Sequence, residues 1–457
     1  MLDAQTREIL RDATDRARRR GIQASLLLHR ERSHLLRLGN SSVSLNTTET
    51  LTRLKARVVD GCREATHTSL RELTSAQDAL DTLEITVAKV REAPAREFEP
   101  ILERVEEGVA QTGQYDPALA ELDGTSKTEG YARIMRDIGP TPTYSGAWSS
   151  GATETYLIST ATDDEAYHRC TDSQFSLVLK HPTQEWELRT DQSGWRVVDF
   201  SAERAVADIM RVLPVYQQRE GIKVEPGTYT VLFGPQAMAE ILGMALWTGF
   251  HGRMYEEKQG WTSHNAMGDT VFGANITVTD DPGDPDTFRY AFDLGGTKRR
   301  RYPLVERGCI AGLMYDIETA AKYKRPLTGH TTQTTSVVMD GGHGPDDALA
   351  AVVDRERVLW IPALHYMHVP SMAKGLFTGS SRFSAVVVER GKIVAPLFSS
   401  RVTESFQNLF NNLAVLAAER VSVNLSDTYG RRAPVAWSIP RYAVAEGVHI
   451  TDSADSF

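Results

Sequence analysis

The chain switches between two hydrophobic periodicities, and the order of the switches sets its architecture. Residues 3–20 hold Ile9, Leu10, Ala13 and Ala17 on one stripe of a 3.6-residue period, and Gly21 stops the helix they predict. Period two follows. Ser25–His29 and Ser33–Leu38 read as strands flanking a polar Arg30-Glu31-Arg32 turn, and Arg53–Val58 alternates like a half-buried antiparallel strand. Thr74 or Ser75 then caps a helix with Ala76, Leu80, Leu83, Val87 and Val90 at helical spacing, ended by Pro94.

Residues 95–124 are acidic and carry Pro100 and Pro117, the composition of a link between units. A helix over Ser126–Asp137 comes next, then Gly- and Thr-rich strands to Lys180 and a strand over Trp186–Val198. The helix Ser201–Gln217 turns Ala205, Ile209, Val212 and Leu213 inward. After the turn Gly221–Gly227, the apolar strand Tyr229–Phe233 ends at Gly234-Pro235 and a helix over Gln236–Glu257 follows. The remainder is strand-like, with Asp280–Asp284 and Glu389–Lys392 as hairpin loops and Ser384–Val388 and Ile393–Phe398 as paired strands. One helical run, Val402–Val421, places Phe406, Leu409, Phe410, Leu413 and Leu416 on one face, and a strand over Ala433–Ile439 follows. Helices packed on mostly antiparallel strands make this an α+β protein. Three parts are expected: an α/β domain over residues 1–94, a middle α/β region over 95–220, and a mostly antiparallel β domain with packed helices over 221–457.

At 457 residues the chain is long for a single core, which agrees with that division. Its net charge of −9 argues against nucleic acid as a partner, because phosphate binding requires concentrated positive charge. The basic clusters are short: Arg16–Arg20 ends the first helix, where cations complement the dipole, and Lys298–Arg301 reads as a solvated loop. Cys62, Cys170 and Cys309 are too far apart for a CxxC metal motif and suggest a reducing compartment. The start, Met1–Gln5, has no apolar signal core, and the longest apolar stretch, Ala237–Phe250, is interrupted by Glu240 and falls short of a membrane span. A cytoplasmic protein without membrane attachment is expected.

Few residues carry obvious chemistry. No GxGxxG or GxxxxGK[ST] element is present. His29–His34 has the wrong spacing for a metal helix and sits in a predicted hairpin. His365 and His368, with His343 upstream, form a weak metal alternative, since residues three apart on an extended segment point to opposite faces. Asp280, Asp281, Asp284 and Asp286 lack calcium-loop spacing and read as a solvated hairpin tip, and Gly341-Gly342-His343-Gly344 reads as a turn. His251, at the end of the predicted helix beside Glu256 and Glu257, is the one weak catalytic candidate.

Several segments together carry a family likeness. Val388-Glu389-Arg390-Gly391-Lys392-Ile393-Val394-Ala395-Pro396-Leu397 and Glu404–Leu413 resemble the C-terminal domain of the TldD/PmbA (TldE) family, as do Arg307–Leu313, Thr328-Gly329-His330 and the strand and helix from Tyr229. The family's later Thr-Asn element departs here to Thr334-Thr335-Ser336-Val337. Active members of that family are zinc metallopeptidases with a His-Glu-x-x-x-His helix and a Cys ligand near the C-terminus. Neither occurs in this chain, whose last Cys is Cys309. In one alignment Gly243, Met244 and Thr248 replace His, Glu and His; in the other, Leu246 and Trp247 replace the first two and His251 keeps the last. The TldE branch also lacks the motif.

The resemblance therefore implies a subunit that binds no zinc, in a heterodimer with a TldD-like protein that carries zinc, general base and Cys ligand. Family substrates are unfolded or modified peptides, so peptide maturation is implied. A homodimeric, non-catalytic peptide-binding scaffold is the alternative. A third reading, independent metal-dependent hydrolysis, would need His251, His343, His365 or His368.

Overall fold

The computed structural model describes residues 3–107, 113–331, 335–426, 428 and 430–457. Met1, Leu2, part of the acidic segment at 108–112, and Thr334 lie outside the described residues. The first helix, Ala4–Arg19, starts where Asp3 accepts the Thr6 N–H at 2.6 Å and ends before Gly21, whose φ of +69° suits glycine. Ala76–Glu92 begins with a reciprocal cap, Asp78 accepting the Ser75 N–H at 2.8 Å.

These helices lie on a six-stranded antiparallel sheet that runs across the expected linker. Its order is Arg63–Ser69, Ser42–Asp60, Gln23–Gly39, Thr143–Ser159, Glu165–Lys180, Glu187–Gly194. Strand alternation gives the sheet two different faces. Leu26, Leu28, Tyr156 and Tyr167 pack under the first two helices. Leu36, Trp148, Phe175 and Leu177, on the same face, pack under Gly124–Ile138 and Ala202–Gln218. The opposite face is covered at one end by Tyr290 and Phe292 and lines a cleft at the other.

Arg30-Glu31-Arg32 is not a turn. It lies inside the unbroken strand Gln23–Gly39, because Glu31 is matched: its carboxylate accepts from Arg53 at 2.9 Å and from the Arg432 N–H at 2.8 Å. The strand expected over Trp186–Val198 stops at Gly194.

Beyond residue 221 the chain forms two sheets around one core. The first runs Cys309–Ile310, Tyr302–Glu306, Val278–Asp280, Val337–Met339, Ala436–Pro440, Arg420–Asn424. The second, nine-stranded, puts Ala443–Ser453 and Gly227–Phe233 at its centre and Leu364–Ser371 at one edge. The apolar helix Pro235–Gly249 is buried between them, with Ala237, Ile241, Leu242, Ala245 and Leu246 in the core. The expected helix over 236–257 breaks at Phe250, and His251 caps a second, short helix, Gly252–Glu256. The expected helical run Val402–Val421 is mostly strand: only Phe406–Asn411 is helical. Leu413 and Leu416 belong to a strand pairing with Ala443–Ser453; the β-branched Val402 and Val415 favour the extended form that this pairing supplies, and Val421 and Val423 that of the pairing with Ala436–Pro440. Among the described residues, no helix is long and apolar enough to cross a membrane.

One ion cluster ties the two parts together. Arg432, fully buried, donates to both carboxylate oxygens of Asp172, to Asp172 O at 3.0 Å and to Ser149 Oγ at 2.8 Å. Arg53 donates to Gly430 O beside it. Removing one partner strands a buried charge, so Arg432→Met should cost about 3–5 kcal/mol in urea unfolding, and adding Asp172→Asn should recover part of that loss.

Lys127, also fully buried, donates to His34 O at 2.9 Å and Trp148 O at 3.4 Å. Burial, aided by Arg432, pulls its pKa down to about 7 from the ordinary 10.5. Between those values the unfolded chain binds the extra proton, so stability rises with pH across that window and is flat below it. Urea midpoints at pH 7, 8 and 9 should show a gain of at most about 1.4 kcal/mol per unit. Lys127→Met should abolish the slope.

Candidate functional site

The largest concavity is a cleft of 1020 Å³ between the free face and edge of the first sheet and the C-terminal part. One wall is the edge strand Glu187–Gly194, with Arg189 and Asp191 pointing into the opening. The facing wall is another edge strand, Arg420–Asn424, with Glu419 and Arg441 at the rim. The two walls meet at one end, where Gln174 donates to Asn424 Oδ1 at 2.8 Å and to Ser426 O at 3.0 Å. The floor is the start of the helix Pro235–Gly249, at Pro235 and Gln236.

That helix leaves one stripe out of the core: Gln236, Glu240, Gly243, Met244 and Trp247, the last 43% exposed. Glu240 accepts from Gln236 Nε2 at 2.8 Å, and burial raises its pKa against the pull of that bond and of Arg189. Asp191, exposed on the edge strand, pairs with Arg189 at 2.7 Å. Asp208, on the helix Ala202–Gln218 beside that wall, takes the Thr190 hydroxyl at 3.2 Å. The cleft thus sets Asp191 and Asp208 against Arg189, Arg204 and Arg441, with Glu240 behind Gln236 on the floor helix. The sequence signal for Glu240 was present but faint, as the lone charge in Ala237–Phe250. Asp191 and Asp208 had none, since strand pairing brings the first to the cleft and the packing of the helix Ala202–Gln218 brings the second.

The motif positions do not fit a zinc ion. Thr248 is fully buried and donates to Met244 O at 2.7 Å, while Gly243 faces Trp437. In the other alignment, Leu246 is in the core and Trp247 points out. His251 does not lie against Glu256 and Glu257: its Nδ1 accepts the Arg253 N–H at 3.2 Å and its Nε2 lies 3.8 Å from Asp316. Burial lowers its pKa, with Asp316 opposing. Glu256 and Glu257 instead take Tyr315 and Arg325, and Lys322 and Tyr323.

His343 is exposed on a turn whose glycines press against Leu416 and Ala417. His365 packs on Tyr366 and Phe383, while His368 is exposed, Nδ1 3.5 Å from Tyr366 O. Among the described residues, no three His, Cys, Asp or Glu side chains gather to hold a metal.

The acidic and basic loops need correction. Asp280 and Arg299 are wholly buried and paired at 2.6 Å, and His330 Nδ1 lies 2.6 Å from the other Asp280 oxygen. Asp284 pairs with Arg420 at 3.0 Å, leaving Asp286 exposed at the cleft rim. Each charge is buried because a partner distant in sequence neutralises it.

Residues 226–450 match the family model described as the PmbA/TldA metallopeptidase C-terminal domain. An uncharacterised protein of Methanocaldococcus jannaschii is 24% identical over 218 residues, 47% of this chain and 44% of that protein. The chain thus spans less than half the length of this curated relative. TldE from Thermococcus kodakarensis superposes with a TM-score of 0.80 at 15% identity, over 98% of this chain and 100% of that one. Candidate modulators of DNA gyrase from Bacteroides thetaiotaomicron (TM-score 0.80, 16% identity, 99% and 100% covered) and Thermotoga maritima (0.78, 13%, 97% and 100%) share the fold.

The geometry of the motif helix generates a test. Thr248→His inserts an imidazole into a filled core and should cost about 1–3 kcal/mol in thermal unfolding. Gly243→His with Thr248→His should still fail to retain zinc in a dialysis assay, because position 248 is enclosed in the core and position 243 faces Trp437.

Proposed function

Because the chain belongs to the TldD/PmbA family, we propose that it is the subunit without zinc of a heterodimeric TldD/TldE-type metallopeptidase acting on unfolded or modified peptides. The observation that carries this reading is the motif helix. It starts at the cleft floor with Gln236 and leaves Glu240, Met244 and Trp247 outside the core, a set with no zinc ligands at metal spacing. Zinc bound by a TldD-like partner would polarise a peptide carbonyl and activate water. The part left to this chain is to hold the substrate: an open cleft with hydrogen-bonding walls and charged groups of both signs receives a polypeptide without cutting it. The likeness to the Thermococcus kodakarensis TldE supports this division of labour.

Co-expression with a TldD-like protein from the same genome tests it. Stable co-purification, about one zinc per heterodimer and none on this chain alone, and peptidase activity that requires both chains are expected. A chain that stays apart from every such partner and leaves its activity unchanged would end this reading. Peptide affinity in a homodimer without hydrolysis would turn it to the scaffold alternative.

A further inference from the structure

The strand Glu187–Gly194 is the last of its sheet, and its ladder parity decides which backbone groups face outward. The His181 N–H bonds Trp186 O at 3.0 Å, so even-numbered residues from 186 to 194 pair with the neighbouring strand. Glu187, Arg189, Asp191 and Ser193 therefore turn N–H and C=O away from the sheet. The chain occupies the first two itself: Ser384 N–H donates to Glu187 O at 3.2 Å, and its Oγ accepts the Arg189 N–H at 3.0 Å. Phe383 and Ser384 adopt positive φ, +61° and +56°, on this edge. Among the described residues, no protein group takes the outward N–H and C=O of Asp191 and Ser193, which open into the cleft.

The facing wall repeats the pattern. Leu425 N–H bonds Val435 O at 2.8 Å and Arg441 N–H bonds Glu419 O at 2.9 Å, so odd residues pair inward and Arg420 and Ser422 face out. Pro440, which has no N–H, stands opposite Arg420, where the ladder requires none. Among the described residues, two sheet edges therefore present donors and acceptors with no protein partner to one cleft, converging near Asn424 and opening toward Asp191 and Gln236.

We infer that the edge Asp191–Ser193 binds an extended polypeptide backbone as an added strand, continuing the first sheet where Ser384 stops. An unpaired edge is a template for such addition, and its main-chain bonds read no sequence. Alternate side chains of the added strand would project to the two faces. One set would meet Arg189, Asp191 and Glu240, the other Asp208 and Arg204, so preference among peptides would come from charge at alternating positions. This deepens the peptide-holding reading above and rests on it.

The probe is a short fluorescein-labelled peptide of alternating Thr and Lys, followed by polarisation with the chain alone and with the co-purified heterodimer. Ser193→Pro deletes one outward N–H without touching the inward ladder and should weaken binding about tenfold or more. Ser193→Ala, which keeps the backbone, should bind as wild type, and both variants should melt within a few degrees of it. The same peptide methylated at every second backbone nitrogen should also lose affinity. Equal affinity of wild type for both peptides, or no effect of Ser193→Pro in a variant that melts normally, would overturn the inference; so would no binding at all. Zinc-dependent hydrolysis by the heterodimer with KM unmoved by Ser193→Pro would sink this edge alone and leave the subunit assignment standing.

Discussion

Arg432 inserts a charged side chain between the C-terminal part and the first sheet, and Asp172 meets both of its carboxylate-facing nitrogens where water is excluded. Much else follows from that pairing. Gly151 lies beside the guanidinium, a Cβ there coming within 3.2 Å of Arg432 Nε. Glu31 can stay inside a strand because the Arg432 N–H and Arg53 hold it. Lys127, near this cation and without a carboxylate of its own, gives up its proton more readily than an exposed lysine. A salt bridge this deep adds little net energy compared with apolar packing, but it tolerates no partial match and fixes how the two parts dock.

Fixed docking is what creates the cleft. The strands Glu187–Gly194 and Arg420–Asn424 end two separate sheets, and each would ordinarily be an exposed liability. Held by the Gln174–Asn424 and Gln174–Ser426 bonds at one end, they converge instead of stacking, and the space between them stays open. The helix Pro235–Gly249 supplies the floor because its other faces are committed to the core of the two C-terminal sheets. Its uncommitted stripe, from Gln236 to Trp247, stays outside that core.

Local signals were legible wherever a short segment decides its own structure. The caps at Asp3 and Ser75, the stop at Gly21 and the inward face of Ala205, Ile209, Val212 and Leu213 are all present as read. Errors cluster where a polar residue is buried or a spacing is ambiguous. Arg30-Glu31-Arg32 resembled a turn, and Asp280 and Arg299 resembled solvated loops, because charge normally means exposure. Phe406, Leu409, Phe410, Leu413 and Leu416 fit a helix, yet the last two bury equally well in a strand once Ala443–Ser453 is there to pair with.

By itself the sequence determined the α+β class, the family likeness and the absence of a His-Glu-x-x-x-His helix, since each rests on residue types at short spacing. Only the tertiary structure decided what stands in place of that chemistry. Glu240, Asp191 and Ser422 are remote in sequence and meet through helix orientation and strand register. The outward-facing backbone groups of the two edges are invisible in any residue pattern, because every residue carries an N–H and a C=O, proline excepted. Which of them remain free is settled by ladder parity and by what the rest of the fold places beside them.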